Sequence, residues 1–124
     1  MPFNHHLGLR VVRMFKDGLA LECELRPEMK NWHGTLHGGV TATLIDAAIG
    51  VAAIAHSGGR QLSTVDLKVN YLRPAVEAPF HCRATLVKAG KTLVFGEAKV
   101  RDGRGRVVAT GQATYIYNDA GSGA

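Results

Sequence analysis

Cysteine is nearly absent from this chain of 124 residues, Cys23 and Cys82 being the only two. One possible pair cannot supply a disulfide framework, and the opening Met-Pro-Phe-Asn-His-His has neither the basic region nor the apolar stretch of a secretory leader. Both thiols are therefore expected to be reduced, in a cytoplasmic protein. Aromatic residues are also scarce, at 6%, and Lys and Arg stand singly from Arg10 to Arg106 with no basic run. Despite a formal net charge of +5 and a pI near 9.6, the stacking and basic clustering of a nucleic-acid surface are missing, so no nucleic-acid partner is expected. The charge fits a solvated basic surface, or a preference for a phosphorylated small ligand. There is no internal repeat and no low-complexity tract.

What remains is 46% hydrophobic, enough for one domain with a core that needs neither disulfide nor metal. The domain is expected over residues 1–117, with the small, polar stretch from Asn118 to Ala124 a disordered tail. From Val40 to Ala55 there is no proline and the only glycine is Gly50. Leu44, Ile45, Ala47, Ala48, Ile49, Val51, Ala52 and Ile54 predict a helix that is apolar nearly all round and therefore buried on most sides. At roughly 24 Å it is too short to cross a bilayer, so no membrane partner is expected. Ser57-Gly58-Gly59 ends it, glycine being the residue that takes the left-handed conformation there.

Strands are predicted on both sides of this helix. Leu7–Met14 and Leu19–Leu25 flank Lys16-Asp17-Gly18, whose Asp-Gly pair signals a hairpin. Pro27 to Gly39 is a polar loop. Beyond the helix the period changes to two: Val65, Leu67, Val69 and Tyr71 alternate with polar residues in a half-buried strand that stops near Arg73-Pro74. Phe80–Lys88, Thr92–Arg101 and Arg106–Tyr117 follow, joined by Ala89-Gly90-Lys91 and Asp102-Gly103-Arg104-Gly105. Gly96 and Gly111 inside these strands suggest bulges or strong curvature. The class is α+β, a long central helix wrapped by a curved antiparallel sheet.

Two features of the helix depart from core design. Gly38-Gly39 stand at its start, where a side-chain cap is usual, which would leave bare amides pointing at a negative oxygen. Asp46 sits inside the apolar run, where an unpaired carboxylate costs several kcal/mol unless it is hydrogen-bonded or opens onto a cleft. Along a helix Gly38 and Asp46 lie about 12 Å apart, too far to meet at one carbonyl. Two copies side by side and antiparallel could each offer an amide end to the other's carboxylate, which predicts a twofold homodimer with a site at the interface, and dimers that could pair further into a homotetramer.

The order of elements, Asn31-Trp32-His33-Gly34-Thr35-Leu36-His37-Gly38-Gly39 with Asp46, Ser63-Thr64-Val65-Asp66-Leu67, Tyr71-Leu72-Arg73-Pro74-Ala75 and Gly90-Lys91-Thr92-Leu93 resemble the hotdog-fold acyl-CoA thioesterases of the PaaI and THEM type over nearly the whole chain. The resemblance implies hydrolysis of an acyl-CoA thioester to the free acid and coenzyme A, without metal or redox cofactor. It implies that Asp46 attacks the thioester or activates water, that the Gly38 N–H polarises the carbonyl, that Asn31 makes a side-chain contact to the same oxygen, and that Thr64 positions the water. Each has a plainer explanation. Asp46 could be a structural carboxylate, Gly38 and Gly39 turn residues, Asn31 a turn former, and Thr64 a strand residue whose register against Ser63 is open by one.

His37 fits a role holding the loop and helix start. His33 and His37 have i, i+4 spacing but no third ligand, so no metal is expected. Arg60, Arg73 and Lys91 are loop cations that could meet the phosphates of coenzyme A, or be solvated. Trp32 and the apolar helix face could line a pocket for an aryl or medium-chain acyl group. Two other functions share the fold. A dehydratase would need His37 and Asp46 converging on the acyl α- and β-carbons, and a non-catalytic acyl-CoA sensor would bind without turnover.

Overall fold

The computed structural model describes residues 6–118. The leader reading for residues 1–5 and the tail reading for residues 119–124 lie outside them. The element order is β1 (Arg10–Phe15), β2 (Gly18–Cys23), a 3-10 turn at Pro27–Met29, the helix α1 (Gly38–His56), β3 (Leu62–Tyr71), β4 (Phe80–Ala89), β5 (Leu93–Arg101) and β6 (Val107–Tyr117). All six strands form one antiparallel sheet in the order β1-β2-β4-β5-β6-β3. Asn118, assigned to the tail from sequence, still donates its N–H to Gln61 O at 2.9 Å.

The sheet turns one face to α1, as the alternation of its strands requires. In β5, Val94, Gly96, Ala98 and Val100 are buried while the residues between them are exposed. In β2 the inward set is Leu19, Leu21 and Cys23, in β4 it is Phe80, Cys82 and Ala84, and all six are buried. Leu44, Ile45, Ala48, Ile49 and Ala53 of the helix fill the space against them, each fully buried. At 19 residues α1 is longer than expected and matches a membrane span by length and composition, but it is packed against β2, β3, β4, β5 and β6.

Two glycines set how close the helix lies. A Cβ at Gly96 would collide with the Ile49 side chain, and one at Gly111 would sit 2.8 Å from Ile45 Cγ2. Neither residue is itself bulged: Gly111 pairs regularly with Val69, and at Gly96 the irregularity falls across the ladder, between Leu86 and Lys88 of β4. Of the expected bulges or strong curvature, neither glycine is itself the bulged residue, although Gly96 faces the bulge in β4. Both glycines are cut-outs that let α1 approach, and Ile45 and Ile49 are one helical turn apart on its sheet-facing side.

A bulge lies in β3. Thr64 pairs with Tyr115 and Asp66 with Thr114, leaving Val65 as the extra residue. Strict alternation would put Thr64 on the opposite face from Leu67, Val69 and Tyr71. The inserted residue brings it to their side, toward the helix. Val65 itself is exposed, as is Tyr71, because β3 is an edge strand. The half-buried strand expected from the sequence therefore keeps only Leu67 and Val69 partly buried.

The β5–β6 hairpin is organised by a buried carboxylate. Asp102 accepts the Arg104 and Arg106 N–H groups at 3.0 and 2.9 Å and the Arg106 Nε–H at 2.8 Å. Burial alone would raise its pKa; the Arg106 amide and guanidinium and the Arg104 amide outweigh burial and hold it below the usual carboxylate value. A lowered folded pKa stabilises the fold above the unfolded value of about 3.9, and that contribution is lost as pH falls below it. We predict that Asp102→Asn lowers the melting temperature at neutral pH and flattens its fall as the pH drops below about 4. Melting curves across that range check it, and an Asn variant with the wild-type acid limb contradicts it.

Candidate active site

The start of α1 is capped from an unexpected source. His37 is the N-cap residue, and its Nδ1 accepts the Gly39 N–H at 2.9 Å. That nitrogen carries no proton while it accepts, so in the neutral ring the proton lies on Nε2. The expectation of two bare glycine amides is corrected by this bond. Val40 and Thr41 donate to His37 O at 2.9 and 3.2 Å, and the Gly38 N–H alone has no acceptor among the described residues. On the other side of the same residue, Tyr71 O–H donates to Gly38 O at 2.6 Å.

The loop before the helix is pinned by Asn31. Its Oδ1 accepts the His33 N–H at 2.9 Å and the Thr35 N–H at 3.1 Å, an Asx-type turn, and its own N–H donates to Thr35 O at 2.8 Å. These bonds use the oxygen and leave the side-chain NH₂ as an available donor. Asn31, Gly38, Tyr71, Arg73 and Ala75 line a cleft of about 530 Å³. Trp32 does not: it is fully exposed, so the pocket-lining role expected for it is absent within one chain.

Asp46 lies two turns further along α1 and opens onto a different cleft, also about 530 Å³, lined by Thr43, Gly50, Arg60, Leu62, Thr64 and Tyr115 among others. Its Oδ1 accepts two hydroxyls, Thr64 O–H at 3.0 Å and Tyr115 O–H at 2.7 Å. The Tyr115 oxygen is also 2.7 Å from the Asp46 main-chain carbonyl. The β3 bulge brings the first donor, Thr64, to Asp46, while Ser63 Oγ turns away to Asn118 Oδ1 at 3.0 Å. Tyr115 is almost wholly buried. Burial first, then the bond to the Asp46 carboxylate, push its phenol far above the ordinary value against a smaller opposing pull from the Gly50 amide, so it stays protonated and donates.

Tyr115 and Tyr71 are the residues that sequence reasoning missed. Tyr115 shares its inward parity in β6 with Gly111, Ala113 and Tyr117. A buried tyrosine hydroxyl needs a partner, and the one carboxylate stranded in the apolar helix needs a donor. Matching those two demands was the available signal, across 69 residues of sequence.

The remaining candidates divide between the clefts. Arg73 lies with Asn31 and Gly38. Arg60 lies with Asp46, donates to Lys91 O at 3.0 Å, and has its guanidinium 3.7 Å from the Tyr117 ring centre. Lys91 is exposed beside it. His37 caps the start of α1 and does not line the cleft of Asp46, so one chain does not form the pair a dehydratase needs. No three His, Cys, Asp or Glu side chains come together among the described residues as metal ligands could. Cys23 and Cys82 are free and buried, and burial pushes their thiols up to about 11 and about 12, far from thiolate nucleophiles.

Residues 33–109 match the model of the thioesterase superfamily. The chain is 30% identical to an Escherichia coli K12 protein named YigI, a medium/long-chain acyl-CoA thioesterase, over 94% of this chain and 85% of that one. It is 34% identical to mouse acyl-coenzyme A thioesterase 13, over 76% and 70% of the two chains. Among solved structures, a thioesterase family protein from Silicibacter pomeroyi superposes with a TM-score of 0.88 at 32% identity, covering 94% of this chain and 89% of the other. With one long helix against six antiparallel strands, and with these matches, the chain belongs to the thioesterase superfamily and has its hotdog fold.

Proposed function

We propose that this thioester hydrolase cleaves an aryl- or medium-chain acyl-CoA to the free acid and coenzyme A, at sites shared between two copies of the chain in the cytoplasm. The observation that carries the reading is the state of Asp46: one carboxylate oxygen is held by two hydroxyls while the group opens onto a cleft. Thioester hydrolysis at neutral pH needs a strong proton acceptor or nucleophile, and a carboxylate supplies either.

In this reading the thioester carbonyl takes the Gly38 N–H and the Asn31 side-chain NH₂, the two donors that the loop and helix start leave uncommitted. As the carbonyl carbon becomes tetrahedral its oxygen gains negative charge, and such donors stabilise that charge by about 2.7–4 kcal/mol each. Asp46 attacks the carbon directly or takes a proton from the water that does, with Thr64 beside it to orient that water. The C–S bond then breaks and the thiolate of coenzyme A leaves with a proton. Arg73 near one cleft, and Arg60 and Lys91 near the other, are placed to meet the phosphates. Gly50, Ile54 and Leu62 beside Asp46 make the apolar wall for the acyl group.

Donors and carboxylate belong to different clefts and are about 12 Å apart along α1, so the complete site calls for a second copy. The unpaired edge of β3, with exposed Val65 and Tyr71, supports an interface on that side of the molecule. Further pairing of dimers into a tetramer is part of the same reading.

Asp46→Asn keeps an oxygen that Thr64 and Tyr115 can bond, so the fold should survive. Turnover of acyl-CoA should fall by about 10²–10⁴-fold with substrate affinity kept. Release of free thiol, followed with a thiol reagent, measures it, and a wild-type rate removes Asp46 from the chemistry. Asn31→Asp is a sharper probe than Asn31→Ala, because it retains the acceptor that pins His33 and Thr35 while deleting the NH₂ donors. Its kcat/KM should drop by about 10²-fold without loss of melting temperature. An unchanged rate would make Asn31 a turn residue and nothing more.

A further inference from the structure

The one-sided bonding of Asp46 separates its two carboxylate oxygens. Oδ1 lies 3.0 Å from Thr64 Oγ1 and 2.7 Å from the Tyr115 hydroxyl, whereas Oδ2 has no hydrogen-bond partner among the described residues. We propose that Tyr115 is a positioning residue which, together with Thr64, clamps Oδ1 and thereby assigns Oδ2 as the oxygen that performs the chemistry. The inference rests on the thioesterase reading above and adds to it a residue and an atom.

The clamp is asymmetric in rigidity. Thr64 is exposed on an edge strand, while the Tyr115 ring is held in the core with its hydroxyl against both the carboxylate and the main-chain carbonyl of Asp46. Contact with both atoms of one residue fixes the carboxylate relative to its own backbone. Gly50, one turn further along, packs beside the ring, where a Cβ would make an ordinary 3.5 Å contact with Tyr115 Cε1. With Oδ1 accepting two hydrogen bonds, the lone pairs left free for reaction are those of Oδ2. In one route an Oδ2 lone pair takes a proton from water as the water oxygen bonds to the carbonyl carbon, and the proton passes to the departing thiolate. In the other, Oδ2 itself bonds to the carbon, the thiolate leaves, and water then hydrolyses the anhydride and restores the carboxylate. Both use the same oxygen.

Around Asp46 the two hydroxyls have few competitors. From β6 it faces Tyr115, and from β3 Thr64. Arg60 of the α1–β3 loop lines the same cleft, with Lys91 of the β4–β5 turn beyond it. The inward residues of β2 and β5 are apolar apart from Cys23. Removing one hydroxyl therefore frees the carboxylate to turn, which costs turnover rather than binding.

The test compares Tyr115→Phe, Thr64→Val and Asp46→Asn by melting temperature, kcat and KM of acyl-CoA hydrolysis. The inference expects Tyr115→Phe to lose about tenfold or more in kcat with KM nearly kept. Thr64→Val should lower kcat in the same way by less, and it decides the matter if Tyr115→Phe does not fold. A folded Tyr115→Phe that has lost only melting temperature and keeps the wild-type kcat overturns the inference; so does an unchanged kcat in Thr64→Val when that variant must decide. Hydrolysis that is absent in the wild type, or undiminished in Asp46→Asn, instead overturns the reading beneath it.

Discussion

A carboxylate on the middle turn of an apolar helix has to be hydrogen-bonded or reach water, and much of this fold answers that requirement at Asp46. The apolar residues around it make α1 a core helix, and the cut-outs at Gly96 and Gly111 let it lie deep against the sheet. Burial on that scale would leave a lone carboxylate uncompensated. Tyr115 approaches from β6 and Thr64 from β3, the latter because Val65 is an extra residue in the ladder. Without that bulge the threonine hydroxyl would face away from the helix. Helix packing and the contacts of Asp46 are therefore coupled: the glycines that let α1 lie deep against the sheet also bring its carboxylate within reach of Tyr115.

The other end of α1 is built on the opposite logic. His37 and Asn31 commit their acceptor atoms to the loop and the first turn, and what they leave over are donors, the Gly38 N–H and the Asn31 NH₂. Donors suit a carbonyl oxygen that gains charge; a carboxylate suits the attack on its carbon. A rigid helix keeps the two about 12 Å apart, which flexibility in a loop cannot close. In the proposed dimer the same rigidity becomes useful, because antiparallel helices hold both ends at fixed separation and create two equivalent sites.

The elements themselves were legible because each carries its own period: the apolar run of α1 and the strict alternation of β5 survive without tertiary information. Asp46 was legible too, since a carboxylate in such a run is anomalous wherever it is found. The capping of the helix start was missed because a histidine side chain is not among the usual caps. Gly96 and Gly111 were read as local irregularities when their cause is the proximity of Ile49 and Ile45, a contact no window along the chain contains. Conversely the bulge at Val65 has no glycine to announce it. Tyr115 stayed hidden for the same reason as the glycines' role: its partner is a helix turn brought near only by folding. Arg60 and Arg73 looked equivalent as loop cations, and only the fold shows that they serve opposite clefts.

The central claim is that the donor end of one chain completes the carboxylate end of another, and subunit mixing tests it most directly. Asn31→Asp and Asp46→Asn chains, each inactive alone, can be unfolded together in equal amounts and refolded. In a mixed dimer one site receives both mutations and the other receives neither. Random pairing should then restore about a quarter of wild-type hydrolysis from two inactive proteins. A mixture that refolds into dimers and stays as inactive as its components would contradict the shared site.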